Sequence, residues 1–433
     1  MLSKETELHE DKQRMKRIGH LWDKVTDVSN GVQAVVDGTQ HKRGDRAVKA
    51  LLYDDETILA DKTKLGQIDR KKAENFVKPI IEDLKSGTWD HDKPRYKREF
   101  CRNRASSKGK WRDLYIPTLK DHTVHHMVMN VYMNAFIRGM HPHCCGSVPG
   151  RGINHVVKFV KHWMKRDKEC RYFIKLDIRH FFDSIDRDIL LGTLKRKIKD
   201  DEAINIFKKI IDSAPSPCPV GYYTSPWLAN LYLQDFDWFV DQQLYKTRRG
   251  KRIKYVRHYL RYVDDILLIG TSKCDLRKAV KEIKRYLKDN LMLDIKNTWE
   301  IKAIGKHEII GGKWRLKPNT YWCDICGYKF CKDSTVMRDG IYLSSSRLAR
   351  RMGKQNYYTV HQCASLNAKL GWARHSDSCK FVSNNIEPYV NIKITRGIIS
   401  DVDKKRKRRK LETIRKRILR KQCNTPEKLQ AGQ

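Results

Sequence analysis

The 433-residue chain is 40% hydrophobic and holds 10 Trp, 19 Tyr and 12 Phe, too much apolar surface for an unfolded chain and enough for two or three domains. Its 90 Lys and Arg against 51 Asp and Glu give a formal net charge of +39, which points to nucleic acid as partner. A membrane is the weaker reading: no basic segment near a terminus carries Trp or Phe on an apolar face, no run approaches the roughly 18 apolar residues of a span, and a soluble, cytoplasmic protein is expected.

To about Asp90 the pattern is helical, with Phe76, Val77, Ile80, Ile81 and Leu84 at helical spacing and a stop near Ser86-Gly87. From Tyr96 to Pro117 it turns extended, and Ser106 to Pro117 reads as a basic hairpin with Gly109 at its turn. A helix follows from Asp121 to Met140, then a Gly/Pro loop, Cys145 to Gly152, and a second helix from about Asn154 to Lys165. Two short apolar strands, Tyr172 to Asp177 and Leu260 to Ile269, are surrounded by helices. After Lys313 strands return, followed by a helical region around Gly371 to His375. The run from Lys404 to Lys421 holds 12 basic residues against one acid, Glu412, over a weak apolar stripe of Leu411, Ile414 and Ile418.

Most of the 12 cysteines stand alone, as reduced thiols do. Cys323, Cys326 and Cys331 are spaced like metal ligands, yet their aromatic, β-prone neighbours suit a buried strand pair equally well. No phosphate-binding loop of the Gly-x-x-x-x-Gly-Lys-Ser/Thr form is present, so no ATPase is expected.

The chemistry lies in three carboxylates. Asp264 and Asp265 form a tight turn between apolar segments, and such a pair is costly to bury unless a cation neutralises it. Asp177 ends a second apolar strand. A carboxylate at a strand end beside an acid pair on a hairpin suits two-metal phosphoryl transfer, in which one ion activates the attacking oxygen and the other steadies the leaving group. This constellation alone does not separate a polymerase from a nuclease.

Tyr262-Val-Asp-Asp265 resembles the Tyr-X-Asp-Asp hairpin of reverse transcriptases. Phe173 to Asp186 resembles their first catalytic motif, and Pro219 to Leu233 the motif between the two. Cys145 to Gly152, Lys110 to Arg112 and Leu291 to Lys296 are similar to finger and palm motifs of group II intron and related bacterial enzymes. Leu370 to His375 resembles the thumb helix of the diversity-generating and defence-associated branches. The likeness covers roughly Lys110 to His375 and marks a bacterial, non-retroviral reverse transcriptase.

That resemblance implies an α+β right-hand fold: an N-terminal helical extension (1–95), fingers (96–170), a palm with an antiparallel sheet, finger insert and primer grip (171–335), a helical thumb (336–400) and a basic tail (401–433). It implies RNA-directed DNA synthesis from dNTPs, with two Mg2+ ions, replaceable by Mn2+, on Asp177, Asp264 and Asp265. The nucleotide would meet Lys110, Arg112, Arg151, Phe182, Val220, Gly221 and Lys296. Of these, Phe182 would exclude the ribose 2′ hydroxyl and Lys296 would protonate pyrophosphate; the bland alternatives are a core Phe and surface cations. Tyr262, Gly327, Tyr328, Trp372, Lys404, Lys405, Arg406, Arg408 and Arg409 would touch nucleic acid. A structured non-coding RNA copied into cDNA is the expected partner, and anti-phage defence the expected setting, since no His-Asn-His endonuclease with paired Cys motifs follows the thumb. Val220 resembles instead the error-prone diversity-generating branch, which works with a small basic accessory protein, whereas Ser225-Pro226 resembles the intron branch. A template-independent polymerase and a non-catalytic RNA-binding protein are the remaining readings.

Overall fold

The computed structural model describes residues 17–40, 45–60, 67–102, 109–310 and 313–423. Helices α1 (Trp22–Val25), α2 (Val28–Thr39), α3 (Arg46–Leu52), α4 (Asp55–Ala60) and α5 (Arg70–Ser86) come first. The Asp69 side chain caps α5 at the Lys72 N–H, Gly87 ends it at φ +76°, and Val77, Ile80, Ile81 and Leu84 form its buried face. A hairpin follows, β1 (Arg95–Arg102) on β2 (Gly109–Ile116). Gly109 stands opposite Arg102 and so opens the second strand instead of forming the turn; residues 103–108 lie outside the described residues. The Phe100 ring fills the space a Cβ at 109 would need, 2.0 Å away.

Next come α6 (Leu119–Ile137), β3 (Cys144–Cys145), α7 (Ile153–Arg166), β4 (Tyr172–Asp177), α8 (Arg187–Lys197), α9 (Asp201–Asp212), α10 (Ser225–Tyr232) and α11 (Gln234–Trp238). A basic hairpin, β5 (Tyr245–Arg248) and β6 (Lys251–Lys254), leads to β7 (His258–Tyr262), β8 (Asp265–Gly270), α12 (Lys273–Leu291) and β9 (Lys302–Ala303). The central sheet runs β3-β7-β8-β4-β9. It is antiparallel as expected except at its edge, where two-residue β3 pairs parallel with β7. Ile174, Leu176, Ile266 and Leu268 face a large core shared with α8 to α12. Phe173, Leu260, Leu267 and Ile269 face a second core beneath α7. Burial on both faces is why these strands read as continuous apolar runs.

Beyond the sheet lie a hairpin, β10 (His307–Ile310) with β11 (Lys313–Leu316), and a three-stranded sheet of β12 (Cys323–Ile325), β13 (Tyr328–Phe330) and β14 (Thr335–Met337). Helices α13 (Asp339–Met352), α14 (Val360–Ala373), α15 (Cys379–Asn385) and α16 (Ile392–Cys423) complete the chain. The expected breaks at 95/96, 335/336 and 400/401 each cut an element: β1, β14 and α16. The basic run is therefore the continuation of a helix that starts in the thumb region, and residues 424–433 lie outside the described residues. At about 1.5 Å per residue α16 extends about 48 Å. Near its start Asn367 of α14 donates to Thr395 (3.1 Å), and near its end Arg417 meets Asp55 of α4 (3.4 Å). The stripe is real: Ile414 is buried, Leu411 and Ile418 half-buried. Among the described residues no helix is long and apolar enough to cross a membrane.

Candidate active site

The β7–β8 hairpin closes in two residues, Val263 and Asp264, because Tyr262 pairs directly with Asp265. Val263 sits at φ +57°, a left-handed conformation that a β-branched residue resists. Three contacts hold it there. Its N–H donates to the Cys145 carbonyl (3.1 Å), its carbonyl accepts from Arg261 Nη1 (2.9 Å), and Gly146 leaves room for it, since a Cβ at 146 would lie 2.8 Å from Val263 Cγ2.

Asp177, the last residue of β4, is the cross-strand partner of Asp265. Directly opposed residues of an antiparallel pair lie about 4.5–5.5 Å apart at Cα, so these carboxylates share one strand end with Asp264 beside them. Burial pushes the carboxyls of Asp264 and Asp265 above the ordinary range; Asp177 adds to this at Asp264, and Asp264 does so at Asp265. Lys296 donates its backbone N–H to the Asp177 carbonyl (2.9 Å) and sets Nζ 2.7 Å from Asp177 Oδ1, an ion pair that lacks hydrogen-bond alignment. Arg112 acts electrostatically on Asp264, and Lys175 and Arg338 on Asp265. Three carboxylates, two of them held against ionisation by burial, form an all-oxygen donor set of the kind that suits hard divalent cations.

The other expected residues divide. Lys110 and Arg112, two apart on β2, share one face of the finger hairpin. Val220 accepts from the Tyr115 N–H (2.9 Å), and Gly221, at φ +118°, leaves no space for a side chain, since a Cβ would lie 2.3 Å from the Tyr115 carbonyl oxygen. The loop 219–221 is thereby fixed to the end of β2. Phe182 lies in a short helical turn, Phe181–Asp183, half-buried against the large core, with its carbonyl accepting from Ser216 (2.9 Å). Arg151 donates to the His141 carbonyl (3.0 Å) and braces its own loop. Gly327, at φ +80° in the β12–β13 turn, packs under Trp372, where a Cβ would lie 2.6 Å from the ring; Tyr328 donates to the Trp372 carbonyl (3.1 Å). Tyr262 is half-buried against the second core, and Lys404, Lys405, Arg406, Arg408 and Arg409 are exposed on α16. Cys323, Cys326 and Cys331 do not converge as one ligand set among the described residues.

Sequence reasoning missed the support behind the turn. Arg261, fully buried, donates from Nε and Nη2 to both oxygens of Asp237 (2.7 Å each) and from Nη1 to Asn230 Oδ1 (2.9 Å). Asn230 in turn donates to the Gly146 carbonyl (3.0 Å), closing a network between α10, α11, the 145–152 loop and the catalytic hairpin. The available signal was a cation inside an apolar strand.

The family described as reverse transcriptase (RNA-dependent DNA polymerase) matches residues 93–298. The chain is 30% identical over 208 residues to the group II intron-encoded protein LtrA of Lactococcus lactis subsp. cremoris, covering 46% of this chain and 34% of that protein. It is 25% identical over 221 residues to the protein YkfC of Escherichia coli K12, covering 43% and 58%. To the retron Ec73 reverse transcriptase of Escherichia coli it is 23% identical over 316 residues, covering 69% and 90%. It thus spans about a third of LtrA and under two thirds of YkfC.

Proposed function

We propose that this chain, which belongs to the reverse transcriptase family through residues 93–298, joins dNTPs to a primer 3′ hydroxyl on an RNA template by two-metal nucleotidyl transfer. The carrying observation is the convergence of Asp177, Asp264 and Asp265 at one end of the β4–β8 ladder. Two Mg2+ ions on these carboxylates would supply the charge that activates the 3′ oxygen and steadies pyrophosphate.

In this reading Lys110 and Arg112 bind the triphosphate by charge-assisted hydrogen bonds. Val220 and Gly221, fixed on Tyr115, bound the nucleotide pocket, and Lys296 donates a proton to pyrophosphate from beside Asp177. Gly327, Tyr328, Tyr262 and Trp372 set the primer strand, and the exposed cations of α16 hold template RNA phosphates. The divisions become fingers from β1 to α7, palm from β4 to β14 and thumb from α13 into α16. A structured non-coding RNA is the proposed template, and the likeness of Leu370 to His375 to the defence-associated thumb supports anti-phage defence as the setting.

The test is primer extension by the purified chain on a defined RNA with dNTPs and Mg2+ or Mn2+. Complementary DNA is expected. Untemplated DNA would move the reading to a template-independent polymerase, and no product with either ion would overturn it. The same assay tests the sugar gate. Phe182→Ala should lower discrimination against ribonucleotides about tenfold or more, equivalent to about 1.4 kcal/mol. Unchanged discrimination would return Phe182 to a plain core role.

A further inference from the structure

Two other clusters of metal-ligating side chains exist among the described residues, each joining a His, a Cys and an Asp within ligand reach. In the first, Asp167, Cys170 and His258, a cation is already present. Asp167 Oδ2 accepts from Arg257 Nε and His258 Nε2, both at 2.8 Å, so the guanidinium stands where an ion would have to go. In the second, His307, Cys331 and Asp333, no Arg or Lys pairs with the carboxylate. Both His307 Nδ1 (2.8 Å) and Cys331 Sγ (3.1 Å) approach the same oxygen, Asp333 Oδ1, and lie 3.8 Å from each other.

We propose that His307 Nδ1, Cys331 Sγ and Asp333 Oδ1 form a site for a zinc-like divalent ion, separate from the polymerase carboxylates. Ligand bonds to zinc of about 2.0–2.3 Å at tetrahedral angles separate the donors by about 3.3–3.6 Å. The three observed separations straddle that range, so small side-chain adjustments admit the ion. A mixed nitrogen, sulfur and oxygen set favours zinc over magnesium, which avoids thiolate.

The scaffold around the three donors is built from main-chain bonds. Cys331 N–H donates to the Ser334 carbonyl (2.9 Å) and closes the β13–β14 turn, while Lys332 N–H donates to the Gly305 carbonyl (2.8 Å) and ties that turn to the segment before β10. The His307 N–H itself donates to Asp333 Oδ2 (2.9 Å), leaving Oδ1 toward the other two donors. Cys331 is buried, whereas the side chains of His307 and Asp333 are 21% and 31% exposed, which gives an ion a way in and a water room as fourth ligand. Binding would release the Cys331 thiol proton to solvent and pin the β10–β11 hairpin to the sheet that packs on Trp372.

Cobalt titrated into the metal-stripped full chain reads the site, because only a thiolate ligand gives a sulfur-to-cobalt charge-transfer band and the active-site carboxylates do not. One zinc-displaceable equivalent with that band is expected. Loss of an outer partner already costs about ten- to a hundredfold in metal affinity, so a direct ligand should cost at least about tenfold. Cys331→Ser should therefore abolish the band, the half-exposed His307→Ala should weaken zinc binding at least as much without risk to the core, and Cys170→Ser should change neither. A band absent from wild type, unchanged in Cys331→Ser, or lost in Cys170→Ser overturns the assignment, as does unaltered zinc affinity in His307→Ala.

Discussion

Asp264→Asn and Asp265→Asn should each cut primer extension a thousandfold or more, about 4 kcal/mol of transition-state stabilisation, without lowering the melting temperature. The two halves have one cause. Burial and mutual repulsion disfavour both charges, so the metal-free fold bears the cost of holding them together at the end of the β4–β8 ladder. An amide keeps the shape and removes that cost, so stability should hold or rise. The amide also takes away a charged ligand for the hard cations, so the stabilisation that Mg2+ gives the wild-type protein should shrink in the same variants. Extension rate and melting temperature, each with and without Mg2+, are the measurements. A variant that extends primers at the wild-type rate would sink the catalytic assignment; one that melts far lower would make these residues structural.

The carboxylates were legible because their order in sequence maps onto neighbouring strands. Asp177 and Asp265 each end an unbroken apolar run, and two such runs buried on both faces can pair only with their polar ends together. Gly327 and Trp372 were legible for another reason: a positive-φ turn beneath an indole leaves its mark as a glycine. Other features left no mark. Two-residue β3 is too short to show any period, and its parallel pairing depends on where α6 ends. The 32-residue α16 hides its apolar stripe among cations, so its run from 404 onward read as a tail, although Ile414 is buried and Arg417 reaches Asp55. Cys331 was grouped with Cys323 and Cys326 on spacing alone, whereas the β13–β14 turn carries it to His307, 24 residues earlier. Spacing along a strand pair puts alternate residues on opposite faces, and that separates ligands a regular motif would join.

Arg261→Ala should destabilise the protein by about 3–5 kcal/mol, because it strands the buried Asp237 carboxylate, and Asp237→Ala should cost a similar amount by stranding the guanidinium. Tyr259, which donates to Asp237 Oδ1 (2.5 Å), is too little to neutralise that charge. The more informative change is Arg261→Lys. It keeps the charge but loses the planar fork that holds both Asp237 oxygens while reaching Asn230 and the Val263 carbonyl. Stability should then recover in part, yet the turn that carries Asp264 loses the contact that helps keep Val263 in its left-handed conformation. The expected signature is a lowered kcat with KM for dNTP nearly unchanged, since Lys110, Arg112 and the Gly221 loop belong to other elements. Thermal melting and single-nucleotide incorporation separate the two effects. If Arg261→Lys restores stability and full kcat together, the guanidinium is a core ion pair only, and the strained turn is held by the Cys145 carbonyl and the absence of a side chain at Gly146.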